Sequence, residues 1–157
     1  PMSDLTFLRQ AITLAEEHSR EGPGGPFGAV LVKNGQVVGR GWNRVVENRD
    51  PTAHAEIVAI REAAERMGTH VLDNCVIYCS CEPCPMCLSA IYWARIPKVV
   101  FSGTGEDARA AGFDDSLIAH ELRLGWEDRA LQSHQALRNE ERKVLEKRAR
   151  NPNRVDY

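Results

Sequence analysis

The chain has 157 residues, 20 of them Lys or Arg and 22 Asp or Glu, for a formal net charge of −2. That length suits one domain with a real core, and the near-zero charge gives no general reason to expect a polynucleotide partner. The apolar share of 43% and charged share of 27% are those of an ordinary globular protein, and the longest apolar run, residues 27–32, is far too short to span a bilayer.

Residues 3–21 read as an amphipathic helix, with Ser3 as N-cap and Leu5, Leu8, Ile12 and Ala15 at helical spacing. Gly22-Pro23-Gly24-Gly25-Pro26 ends it. Residues 27–33 and 36–43 read as two strands, joined by Asn34-Gly35, a strong hairpin-turn signal. Asp50-Pro51-Thr52 begins a turn, and 53–67 reads as a helix with Ile57, Ile60 and Ala64 on one face. Residues 76–79 form a short apolar strand. Pro83 and Pro85 open a helix to about residue 95, since proline is tolerated in a first turn. Residues 98–101 are strand again. This strand–helix–strand order predicts a parallel pair with a right-handed crossover. Residues 103–116 read as a Gly/Asp-rich loop, 117–122 as a short helix, 133–150 as a charged helix and 151–157 as an irregular tail. The class is α/β, a mixed sheet with helices on both faces.

No charged-then-apolar leader is read at the start, and five cysteines, four of them within residues 79–87, argue for reduced thiols and metal. The expected compartment is the cytoplasm. Charge is uneven: residues 103–129 carry seven acids against three arginines, and 138–157 carry seven bases against four acids. A basic tail can bind phosphates, but Glu140, Glu141 and Glu146 interleave it as on a solvated helix face.

The chemistry concentrates in His54-Ala55-Glu56 and Pro83-Cys84-Pro85-Met86-Cys87. One histidine and two cysteines make a three-ligand zinc set, and catalytic zinc sites take three protein ligands and leave a position for water. Cys84 and Cys87 share a face at a helix start, where the dipole favours thiolate. Residues i and i+2 of a helix point apart, so His54 and Glu56 share a site only if His54 lies at an open helix tip. Zinc so held brings the pKa of its water towards about 7, and the hydroxide can attack an amidine carbon bearing an amine. Glu56 would shuttle the proton to the ring nitrogen and then to departing ammonia. The spacing matches the H-x-E…P-C-x-x-C signature of zinc nucleobase deaminases. A closed structural site on Cys79, Cys81, Cys84 and Cys87, in a module without catalysis, fits the cysteine spacing but leaves His54 and Glu56 unused. Cys75, Cys79 and Cys81 read as buried packing residues, and His18, His70, His120 and His134 as surface ones.

With these residues in place, the chain resembles the cytidine deaminase-like superfamily, and within it the bacterial guanine deaminases. The resemblance runs from about residue 4 to the C-terminal tyrosine. It is carried by Gly24-Gly25-Pro26-Phe27-Gly28-Ala29-Val30, Asp50-Pro51-Thr52-Ala53-His54-Ala55-Glu56, Ser80-Cys81-Glu82-Pro83-Cys84-Pro85-Met86-Cys87, Ile91-Tyr92-Trp93-Ala94-Arg95 and Ala110-Ala111-Gly112-Phe113-Asp114-Asp115-Ser116. The zinc motifs belong to the whole superfamily; the Gly-Pro-Phe-Gly stretch and the Ala-Gly-Phe-Asp-Asp loop resemble the guanine enzymes. Residues 123–154 carry no motif that aligns with the family.

The resemblance implies a single domain over 1–157, a three-layer α-β-α sandwich on a five-stranded mixed sheet. It implies guanine plus water giving xanthine plus ammonia, zinc on His54, Cys84 and Cys87, and Glu56 as proton shuttle. Phe27 matches the position that packs on the purine, Asn43 one that bonds the base edge, and Asp115 a carboxylate that reads its N–H groups. Tyr157 matches the residue with which the tail, about 151–157, closes the pocket. It also implies a homodimer that exchanges its C-terminal segment, so that Tyr157 caps the neighbour's site, with no nucleic acid or membrane partner. Each contact residue also has a plain structural use: Phe27 as core, Asn43 in a turn, Asp115 as a helix cap, Tyr157 as a frayed terminus. Two further readings keep the zinc chemistry. One is a tRNA adenosine deaminase, favoured by the shared 50–56 segment and the basic 138–154 stretch. The other is a deaminase of another small aminated ring such as isocytosine, a triazine or cytosine.

Overall fold

The computed structural model describes residues 3–20 and 22–157. Helix α1 (Asp4–Arg20) begins where Ser3 Oγ accepts the Thr6 N–H at 3.4 Å, and it buries Phe7, Leu8, Ala11 and Ala15. Its expected last residue, Glu21, lies outside the described residues. Strands β1 (Gly28–Lys33) and β2 (Gln36–Trp42) pair antiparallel. Between them Asn34 and Gly35 take φ of 50° and 75°, the left-handed pair that a tight type I′ hairpin turn requires.

A four-residue helix, α2 (Val45–Asn48), follows; periodicity could not reveal so short an element. Helix α3 (Ala55–Met67) starts two residues later than expected, because His54 is an extended N-cap at φ −67°, ψ 158°. Gly68 closes it at φ 65°. Strand β3 (Cys75–Cys81) pairs antiparallel with β1 and parallel with β4 (Lys98–Gly103), and α4 (Pro85–Trp93) connects the two. The sheet order is β2-β1-β3-β4.

The five-stranded expectation is corrected to four strands among the described residues. After β4 the chain turns helical at once. Thr104 Oγ1 accepts the Asp107 N–H while Asp107 Oδ2 accepts the Thr104 N–H, a capping box that starts α5 (Gly105–Ala110) inside the expected loop. Helix α6 (Ser116–Glu121) falls near the expected short helix, and a 3₁₀ turn spans Trp126–Asp128. The last helix, α7 (Arg138–Arg150), begins five residues later than the sequence suggested, because Leu137 takes a left-handed φ of 55°.

Two faces of the sheet carry helices. On one, Phe7, Leu8 and Ala11 of α1 pack with Val30, Val32 and Tyr78. On the other, Ala63 of α3 and Ile91 of α4 pack with Leu31, Ile77 and Cys79. This is the α-β-α layering that the sequence implied. Gly39 and Gly41 set how close α3 lies to β2: a Cβ on Gly41 would stand 2.0 Å from the Ala55 carbonyl oxygen, and one on Gly39 2.4 Å from that of Ala59. Among the described residues no helix is long and apolar enough to cross a membrane.

Tyr78 is 4% exposed, and its hydroxyl donates to Asp4 Oδ1 at 2.7 Å; Lys98 Nζ holds Asp4 Oδ2 at 2.9 Å. Burial and the neighbouring carboxylate push the Tyr78 phenol up to about 12. A raised folded pKa means a stabilising term that is whole below the ordinary phenol value near 10 and is lost as pH rises to about 12. Tyr78→Phe should therefore lower stability by about 1 kcal/mol at pH 7. The gap between the two proteins in urea unfolding should close at pH 12; a gap that persists unchanged there would show that the hydroxyl is not its source.

The chain divides after Asp115 into two compact units. The sheet and α1 to α5 belong to the first. In the second, Ser116–Tyr157, Glu121 accepts Arg129 Nε through its carbonyl at 3.0 Å and the Ala130 N–H through Oε1 at 2.8 Å. Arg129 lies over the Trp126 ring at 4.2 Å, and Arg148 pairs with Asp156 at 2.9 Å. No residue of this unit is buried.

Candidate active site

Two helix N-caps converge. His54 caps α3 and Cys84 caps α4, both in extended backbone and both without a side-chain bond to their own helix. Their side chains turn to each other instead. His54 Nδ1 lies 3.5 Å from Cys84 Sγ and 3.6 Å from Cys87 Sγ, and the three donor atoms lie within 4.8 Å of one another. Pro85 at the first position of α4 leaves Cys87 one turn in, on the same side as Cys84. One imidazole nitrogen and two thiol sulfurs suit zinc, and three donors leave a coordination position open.

The extended conformation of His54 resolves the i, i+2 difficulty. The histidine lies outside the helix, and Glu56 turns inward from its first turn. Glu56 is 6% exposed and is the one buried charged side chain among the described residues. Burial raises its pKa, and the neighbouring Cys87 thiol acts in the opposite sense. The Cys84 thiol is lowered to about 4, first because Cys87 donates to it and then because His54 stands beside it. Cys87 is pushed up as the donor of that pair and by burial. The Cys84 thiolate in turn raises His54, against the effect of burial. Of the three donors, Cys84 is the one the cluster holds as an anion.

Phe27 and Asn43 are joined to each other beside the start of α3. Phe27 packs on Ala29, Ala55 and Ala59, so it rests against the first turns of α3. Asn43 N–H donates to the Phe27 carbonyl at 3.1 Å, and Asn43 Oδ1 accepts the Val45 N–H at 3.2 Å. Phe113 meets Phe27 edge-on at 4.9 Å between centroids. Sequence reading quoted Phe113 in its loop without giving it a contact. Asp115 is half-buried and ends the first unit; Tyr157 ends the second and is 75% exposed.

The packing cysteines behave as expected. Cys75 and Cys79 are fully buried, and Cys81 directs its thiol to the Thr104 carbonyl at 3.4 Å, so the four-cysteine alternative does not form. His70, His120 and His134 are exposed, whereas His18 is half-buried and stacks on Trp42 at 3.7 Å. Two supporting contacts escaped the sequence reading. Ser80 Oγ accepts the Gly28 N–H at 2.9 Å, tying the end of β3 to the start of β1. Glu82 Oε2 accepts the Gly105 N–H at 2.7 Å, tying the cysteine loop to α5. Neither follows a local pattern, since each joins segments more than twenty residues apart.

Residues 1–103 match the cytidine and deoxycytidylate deaminase zinc-binding region. The guanine deaminase of Bacillus subtilis is 51% identical over 134 residues, 85% of this chain and 86% of that protein. The X-ray structure of guanine deaminase from Bacillus subtilis superposes with a TM-score of 0.95, at 46% identity and over 99% of both chains. A tRNA-specific adenosine deaminase of Aquifex aeolicus is 44% identical over 96 residues, 61% of this chain and 63% of that protein. The buried carboxylate, the three-donor cluster at paired helix tips and these similarities agree: the chain belongs to the cytidine and deoxycytidylate deaminase zinc-binding family.

Proposed function

We propose that this protein is a zinc-dependent guanine deaminase that converts guanine and water to xanthine and ammonia. The observation that carries the hydrolytic reading is Glu56, a carboxyl buried beside a three-donor cluster. The preference for guanine rests on likeness along nearly the whole chain, where the likeness to the tRNA enzyme spans a shorter part.

His54, Cys84 and Cys87 would hold the zinc. Bound there, zinc supplies the Lewis acidity that lets water lose a proton near neutral pH. Glu56 takes that proton and delivers it to the ring nitrogen beside the carbon under attack. It then takes the second proton from the hydroxyl on the attacked carbon and gives it to the departing amine, which leaves as ammonia as the carbonyl forms. A raised carboxyl pKa suits a group that must both accept and give. Phe27 packs on the purine. Asn43 holds its Oδ1 on the Val45 N–H, so its amide NH₂ is left to donate to an acceptor on the base edge. Asp115 accepts from the purine's N–H groups.

The single-domain reading over 1–157, with the tail from about 151 and Tyr157 closing a site, belongs to the same proposal. So does a homodimer that exchanges the C-terminal segment. Its support is apolar surface: Leu117, Ile118, Leu122, Trp126, Leu131 and Val155 are each 49–70% exposed, more than a solitary segment of this size is expected to show to water. A cytoplasmic location is supported by five free cysteines, none paired.

Ammonia release should be measured from guanine, isocytosine, cytosine, adenosine and tRNA, with and without a chelator. Guanine should lead, zinc should be found at one per chain, and chelation should abolish turnover until zinc is restored. Light scattering of the same sample should return twice the chain mass. Inosine in treated tRNA with no xanthine from guanine would transfer the assignment to the tRNA reading.

A further inference from the structure

Asp50 is placed four residues before His54, and each of its polar atoms is engaged. Its N–H donates to the Val45 carbonyl at 3.0 Å, and its carbonyl accepts the Ala53 N–H at 3.1 Å. Its Oδ1 accepts the Thr52 N–H at 2.8 Å and the Thr52 hydroxyl at 2.7 Å. Its Oδ2 accepts Arg61 Nη1 at 3.2 Å, and Arg61 Nη2 reaches Thr52 Oγ1 at 3.3 Å. Arg61 stands on α3, so the carboxylate ties the loop to the helix that follows it.

Both ends of this hub reach proposed site residues. Thr52, held by Asp50, accepts the His54 N–H through its carbonyl at 2.7 Å, and Ala53, fully buried, accepts the Arg44 N–H at 2.9 Å. On the other side Val45, which accepts from Asp50, is the residue whose N–H fixes the Asn43 amide. Asp50 is thus bonded by its carboxylate into the turn that sets the extended backbone of His54, and by its own main-chain N–H to the helix start that sets Asn43. Exposed ion pairs add little to global stability, so a half-buried Asp with this many bonds is better explained by local geometry than by fold strength.

We infer that Asp50, braced by Arg61, is a positioning residue that holds His54 and Asn43 in register for metal and base. The inference rests on the deaminase reading of the site. It gives Asp50 no contact with substrate and no part in proton transfer.

The test compares Asp50→Ala, Asp50→Asn and Arg61→Gln by zinc titration, cobalt(II) absorption and KM for guanine. Asp50→Ala should weaken zinc binding by about 10- to 100-fold, the range typical of outer-shell losses, and change the cobalt spectrum, while KM rises less because the main-chain bond from Asp50 to Val45 is kept. Asp50→Asn, which keeps an acceptor for Thr52, should restore most of the metal affinity. Arg61→Gln should shift both readouts in the same direction by less, and it carries the test if Asp50→Ala does not fold. Zinc affinity and cobalt spectra equal to wild type in the variants that fold would overturn the positioning role. A wild-type protein that takes up no metal would instead sink the metal-site reading, and this proposal with it.

Discussion

Glu56→Gln should retain zinc and lose turnover by at least about a hundredfold, with about ten-thousandfold as the upper range for a lost proton carrier. The substitution conserves volume in a side chain that is 6% exposed, so packing against α3 and α4 is kept. It removes the one capacity that an amide lacks, the exchange of a proton. The second readout separates this from damage. Burial already disfavours the charged carboxyl, so replacing it by a neutral amide should leave the melting temperature unchanged or higher. Stopped ammonia release in a protein that melts no earlier and carries one zinc per chain is the expected pair of results. Activity within about threefold of wild type would assign the proton to another group.

Gly41→Val should be the most damaging single change in the sheet. The first side-chain atom would lie 2.0 Å from the Ala55 carbonyl oxygen and 2.7 Å from the Ala59 nitrogen, both backbone atoms that no rotamer change can move. Either α3 lifts from the sheet or β2 bends. Overpacking of this kind costs roughly 3–5 kcal/mol, much of the stability of an ordinary domain. Because Ala55 lies between His54 and Glu56, any protein that still folds should also bind zinc more weakly. Gly22→Ala is the control, since nothing stands within 4 Å of the added carbon, and its melting point should match wild type. A Gly41→Val protein with wild-type melting and metal content would mean that α3 is free to slide.

The hairpin was legible because Asn34-Gly35 encodes its own backbone angles, and the metal cluster was legible because its spacing is a chemical requirement. Glu56 was legible as a motif position, but its burial depends on three elements packing together. Helix α5 stayed hidden because its capping box lies among glycines and acids that read as loop, and the delayed start of α7 turns on one left-handed residue, Leu137. The expected fifth strand came from resemblance alone; no alternating apolar run follows residue 103 to form it. The links from Ser80 to Gly28 and from Glu82 to Gly105 are long-range, and no window of sequence contains both partners.

The close seat of α3 on Gly39 and Gly41 divides the molecule into a fixed workshop and a changeable fixture. The helix that begins at His54 and carries Glu56, the proposed proton carrier, is locked to the sheet by main-chain contact and has no room to drift. The groups proposed to meet the ring, Phe27 and Asn43, lie outside the strands beside the start of that helix. Altering which heterocycle is accepted is therefore a matter of rewriting those segments, and the hydrolytic apparatus beneath can be inherited intact.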